Sequence, residues 1–226
     1  MMYRKDYILA KDGSEIIITF YAHASVGVEW DGMQIYLDPV GERYGVDFSN
    51  EKKADFILLT HHHSDHLDPC AITMLSTQTT SVYGNGKCLN FIDCKLVAPY
   101  QALKKRNIKV CSVPAYNVTQ EHLDYHPKKD GGLGYILDCG GTKMYFAGDT
   151  EDNKDVLSLR DIDIAFLPAN QPYTMTIQQI ENVVKTIRPR ILYPYHCGTS
   201  NGTVTDVSPL TESLKDISDV RIRNMI

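Results

Sequence analysis

The run Ala54-Asp55-Phe56-Ile57-Leu58-Leu59 leads directly into Thr60-His61-His62-His63-Ser64-Asp65-His66. Its short, apolar, β-leaning character predicts a buried strand. The histidines then fall in the loop at the strand's C-terminal end, where layered α/β folds place their chemistry. Histidine dominates those loop residues, and the aspartate sits among them, so the loop concentrates metal-binding groups. Neutral imidazole suits Zn, Fe, Ni or Mn-class ions, and a carboxylate adds a hard oxygen. In an extended segment alternate side chains share a face, so His61 and His63 can reach one ion together. Asp65 shares that parity, and His66 turns elsewhere, towards a second ion. His62 has the wrong parity and Ser64 is a poor ligand. A solvated polar loop would not need an aspartate between histidines directly after a core strand.

The pattern His61-X-His63-X-Asp65-His66 resembles the signature of the metallo-β-lactamase-fold hydrolases. Within them it is similar to the small, single-domain branch related to ascorbate-6-phosphate lactonase and to phospholipase D-type enzymes that release N-acylethanolamines. The resemblance extends over nearly the whole chain. It implies an αββα sandwich of the layered α/β class, one domain over residues 1–226, with a one- or two-metal site. It says little about substrate.

Other segments are read on their own residues. Ile16–Phe20 is a β-branched run expected to open the first sheet. Val26–Trp30 and Met33–Leu37 flank Asp31-Gly32, a strong hairpin signal, and Asp38-Pro39 stops the second arm. Asp68 is placed to cap a short helix beginning at Pro69, and Gln101–Lys105 reads as another helix. Lys109–Val113 is a strand leading to Pro114-Ala115-Tyr116-Asn117. Gly140-Gly141 joins two strands, the second running into Gly148-Asp149-Thr150. Helices are expected over 152–159, over 177–187 behind a Thr176/Gln179 cap, and over 206–216. Strands are expected over 162–168, over 190–195 ending at His196, and over 220–222. No repeat or linker is visible.

The resemblance also assigns roles. It makes Asp149 a bridging carboxylate and His196 the last ligand, and it brings His23 and Asp38 close to the site. His23 could support a ligand or contact substrate, though a lone histidine between strands is more often a satisfied structural residue than a ligand. Relatives carry a third histidine for the first ion after the strand at 109–113, where this chain has Asn117. An amide oxygen is a poor ligand for Zn-class ions, which favours His126 over Asn117 without eliminating it; His122 is expected to be exposed. The first ion would take His61, His63 and that third group, and the second Asp65, His66 and His196, with Asp149 between.

Composition narrows the function. An apolar content of 43% and a charged content of 23% are ordinary for a soluble domain. A net charge of −5 with no basic block argues against nucleic acid, and no apolar run approaches a membrane span or a signal-peptide core. The six cysteines form no C-x-x-C pair and read as reduced thiols of a cytoplasmic protein. Two divalent ions, Zn first with Mn, Fe or Ni as alternatives, lower the pKa of a bridging water from ~15.7 towards neutrality. The expected activity is hydrolysis of an ester, lactone, amide or phosphodiester in a small-molecule substrate, with Asp65 and His66 as catalytic residues. Alternatives are a non-catalytic metal-binding module and a di-iron redox protein of the same fold. Clustered ligands of mixed type suit a catalytic pair better than a closed structural site.

Overall fold

The computed structural model describes residues 3–198 and 202–225. Two seven-stranded sheets share one wiring. The first contains β1 (Arg4–Leu9), β2 (Glu15–Ala22), β3 (Ser25–Trp30), β4 (Met33–Leu37), β5 (Phe56–Leu58), β6 (Ser81–Gly84) and β7 (Lys95–Leu96), in that order. The second contains β8 (Ala102–Lys105), β9 (Ile108–Pro114), β10 (Leu133–Cys139), β11 (Thr142–Phe146), β12 (Ile164–Pro168), β13 (Ile191–Tyr195) and β14 (Asp219–Val220). In each sheet the first four strands pair antiparallel and the last four parallel.

Side-chain parity builds the layers. Phe56 and Leu58 face the second sheet across the central core, with Phe20, Phe146 and Phe166. Ile57 and Leu59 point outward, against α1 (Pro69–Leu75). The helices α2 (Lys154–Leu157), α3 (Ile177–Ile187) and α4 (Pro209–Ser213) lie on the outer side of the second sheet. Ile180, Val183, Val184 and Ile187 recur at helical spacing and bury against Tyr145, Ala165 and Leu192. The result is the expected αββα sandwich.

The caps form as the sequence implies. The Asp68 side chain accepts the Cys70 and Ala71 amides, and Thr176 with Gln179 closes a reciprocal capping box. Some elements differ. Arg4–Leu9 is a strand ahead of Ile16–Phe20, recruited along β2 despite its charged start. Gln101–Lys105 is no helix: Ala102–Lys105 pairs as an edge strand with β9, so sheet hydrogen bonds override helix-forming Ala, Leu and Lys. The helices expected over 152–159 and 206–216 shrink to α2 and α4, and the last strand is Asp219–Val220.

Candidate metal centre

The site assembles at strand ends. His23 follows β2, Asp38 follows β4 and His196 follows β13, each with positive φ (55°, 43° and 50°). Such left-handed backbone in non-glycine residues costs energy and persists where surrounding structure holds it. It turns each side chain off its strand and into the cleft. Gly148 has φ 63°, and a Cβ there would lie 2.6 Å from the Leu133 carbonyl and 2.9 Å from Thr60 Cβ. Glycine therefore lets the chain after β11 press against the motif loop and deliver Asp149.

Among the described residues three groups of donor atoms result, each with its atoms within 4.8 Å of one another: His61, His63 and His126; His23, Asp65, His66 and His196; and His61, His66 and Asp149. Asp149 joins the first two. Its Oδ2 lies 3.2 Å from His126 Nε2 and 4.0 Å from His61 Nε2. Its Oδ1 lies 3.3 Å from His66 Nε2 and 3.4 Å from His196 Nε2.

The ring orientations are set from behind. Thr60 donates its amide to Asp38 Oδ1 at 2.8 Å and its hydroxyl to Asp38 Oδ2 at 2.6 Å. With that proton committed, Thr60 Oγ1 accepts from His61 Nδ1 at 3.0 Å, leaving His61 Nε2 bare towards the centre. Asp38 Oδ2 also receives His66 Nδ1 at 2.7 Å, and the Tyr173 carbonyl receives His126 Nδ1 at 3.1 Å. One carboxylate, Asp38, thus orients ligands on both sides, as outer partners of metal-binding histidines do.

Ring nitrogens then crowd together. His61 Nε2 is 3.0 Å from His63 Nδ1, and His196 Nε2 is 2.9 Å from His66 Nε2. Asp149 Oδ1 is buried without a well-formed hydrogen bond. Unshared electron pairs at such distances repel unless a cation or a shared proton lies among them, so this donor set fits bound metal. Burial, helped by neighbouring imidazoles, holds His61 well below the usual histidine range, and it brings His63 and His23 to about 4. Burial also opposes charge on His66, but Asp149, Asp38 and Asp65 outweigh it and hold that ring well above the usual value.

Every residue expected as a ligand falls in one of these donor groups. Asn117 does not: its Nδ2 donates to the His122 and Tyr173 carbonyls, fixing the loop that carries His126. His122 is half-buried against Glu151 at 3.0 Å, not exposed. His62 stays outside the donor groups. The parity argument works for His61 and His63 but not beyond. From Ser64 the chain turns, with the His66 amide bonded to the His63 carbonyl, so Asp65 joins His66 rather than His61. His23 sits among the potential ligands, its Nε2 3.2 Å from Asp65 Oδ2. Unforeseen were Arg43, Asn170 and Tyr173, which line the cleft. They come from loops without a local signature.

Fold and donor set together define a class, the metal-dependent hydrolases of metallo-β-lactamase fold. The beta-lactamase superfamily domain matches residues 17–196, and the chain belongs to that superfamily. It is 40% identical to a candidate metal-dependent hydrolase from Parabacteroides distasonis, covering 100% of both chains with a TM-score of 0.92. A UPF0173 metal-dependent hydrolase of Methanopyrus kandleri is 26% identical over 195 residues, 80% of this chain and 84% of that one. Igni18, a metallo hydrolase from Ignicoccus hospitalis, shares the fold at 21% identity, covering 93% and 95% of the two chains with a TM-score of 0.75.

Proposed function

We propose that the protein hydrolyses an ester, lactone, amide or phosphodiester bond in a small molecule, using two divalent ions held side by side. His61, His63 and His126 would hold one ion, and Asp65, His66, His196 and His23 another, with Asp149 facing both sets. The observation that carries this reading is the split of Asp149, one oxygen facing each set of histidines. Bound ions of the Zn or Mn class supply an acidified water and polarise the bond under attack.

The chain's own residues do the rest. Asp65 is the partly open carboxylate of the cluster, its side chain 25% exposed, and it also lines the cleft. It orients the attacking water and takes up its proton at a carboxylate oxygen. His66 is fully enclosed with both ring nitrogens engaged, so its part is to hold an ion and not to move protons. Asn170 is buried beside the cleft with its amide oxygen unpartnered, available to orient the substrate. His126, pinned through Tyr173, closes the floor.

The test pairs elemental analysis of the purified protein with assays on ester, lactone and bis-phosphodiester probes. Two equivalents of metal and metal-dependent turnover of one probe class are expected. His63→Ala should reduce that turnover at least about a hundredfold while the protein stays folded. Full activity in that variant, or an iron chromophore that turns over none of these probes, would overturn the reading.

A further inference from the structure

The cleft over the metal centre encloses about 460 Å³, room for a small organic molecule. The carboxylates lining it are Asp65, Asp149 and Asp124, the first two committed to the donor cluster. Among the lining residues one permanent cation stands out, Arg43, carried by the short turn Glu42–Tyr44 between β4 and β5. Other cations around the site are neutralised locally, Lys87 by Asp130 at 2.6 Å and Lys128 by Asp155 at 3.4 Å. Arg43 has no such partner: among the described residues its hydrogen bond is to a neutral group, Nη1 to Ser64 Oγ at 2.8 Å.

That partner sets its direction. Ser64 lies in the turn between His63 and Asp65, so the bond ties the guanidinium to the rim of the metal centre. From the other side its carbon sits 5.7 Å from the centroid of the Tyr44 ring, and Tyr44 stacks on His23 at 4.7 Å. A guanidinium has five N–H donors in a planar fork matched to carboxylate and phosphate oxygens. With one N–H spent on Ser64, the fork keeps donors for an anion beside the reacting bond. Across the cleft stand Tyr125 and Tyr173, packed edge to face at 4.8 Å.

We infer that the substrate is an anion: besides the bond that is cut it carries a carboxylate or phosphate group, which Arg43 binds at the cleft rim. This rests on the hydrolase reading for the word substrate, but the anion site is tested by binding alone.

Calorimetry on the metal-loaded protein would compare succinate, glutarate and adipate with butyrate, pentanoate and hexanoate. One carboxylate can go to the metal centre in either series, and only the dicarboxylates offer a second. At least one dicarboxylate should bind tenfold or more tighter than its matched monocarboxylate. In Arg43→Ala, with metal content unchanged, the preference should fall to within twofold, and Arg43→Lys should keep part of it. Replacing the distal carboxylate by a phosphonate then shows which anion the fork prefers, and either ranking supports the site. No preference in the wild type, or one that survives in Arg43→Ala, would overturn the inference. A protein that binds these anions through Arg43 yet cleaves no probe would retire the hydrolase reading and leave the anion site standing.

Discussion

The two halves of the metal centre are built in different ways. His66 and His196 are fully buried, and His23 is nearly so. His23 and His196 are the first residues after strands, and Asp65 and His66 sit in the tight turn beyond β5. Once the sheets pair, that half has little freedom left. The other half borrows His126 from the long connection between β9 and β10, which must be tied down separately. Glu151 accepts the Val118 and Thr119 amides at 2.7 and 2.6 Å and meets His122 at 3.0 Å. Asn117 donates to the His122 and Tyr173 carbonyls, and its amide bonds the His126 carbonyl. His63 and His126 line the cleft. The buried half is thus preset by the fold, and the cleft-facing half is held by pins that a mutation can remove singly.

Asp149 is the group the two halves have in common, so its loss should erase the distinction. Asp149→Ala removes both oxygens and leaves the other seven residues of the donor groups in place, with no shared carboxylate between the two sets. Metal content is expected to fall to one equivalent or less, and turnover by at least about a thousandfold. Elemental analysis beside the activity assay checks this. Retention of two equivalents would mean the ions are not bridged by this carboxylate.

The same contrast governs what the sequence made legible. The motif at 61–66 stands out locally because polar residues crowd the tip of an apolar β-run, whereas Asp149 and His196, at the tips of similar runs, are ordinary turn residues on their own and gain a role only through the resemblance. His126 could be preferred over Asn117 on ligand chemistry alone, yet what fixes it, Glu151 and the Tyr173 carbonyl, lies tens of residues away. His23 kept several possible roles because its neighbours Asp65 and His196 are distant in sequence. The strand at 102–105 was misread because its composition favours helix, and only the adjoining edge of β9 decides otherwise. The shared wiring of the two sheets leaves no repeat in the sequence, since pairing direction is set by register and connection, not by residue identity.

Removing one pin should separate the halves. Glu151 is buried and uses both oxygens on the 117–126 loop, so Glu151→Gln replaces an acceptor with a donor where amides already point. Outer partners of metal ligands typically matter ten- to a hundredfold in affinity, and a pin acting through a loop belongs near the lower end, about tenfold. The weakened ion should be the one at His61, His63 and His126, with the buried ion unchanged. Stepwise metal titration resolves the two, and equal weakening of both would show that the loop supports the whole centre.

The smallest effect is a proton count. In the metal-free cluster Asp149, Asp38 and Asp65 hold His66 well above the usual histidine range, against the opposing pull of burial, and so favour its protonated form. A metal at the buried half must displace that proton, because its Nε2 is the donor and its Nδ1 is committed to Asp38. Binding there should release about one proton from His66, and its affinity should rise with pH by about tenfold per unit while that ring remains protonated. Burial holds His61 well below the usual histidine range and brings His63 to about 4, so both rings favour the neutral form that an ion entering the cleft-facing half requires. Calorimetric titration at one pH in buffers of different ionisation enthalpy counts the protons, and repeating it at pH 6, 7 and 8 gives the slope. Binding at the buried half with no proton release and no pH slope would show that His66 is neutral in the metal-free cluster.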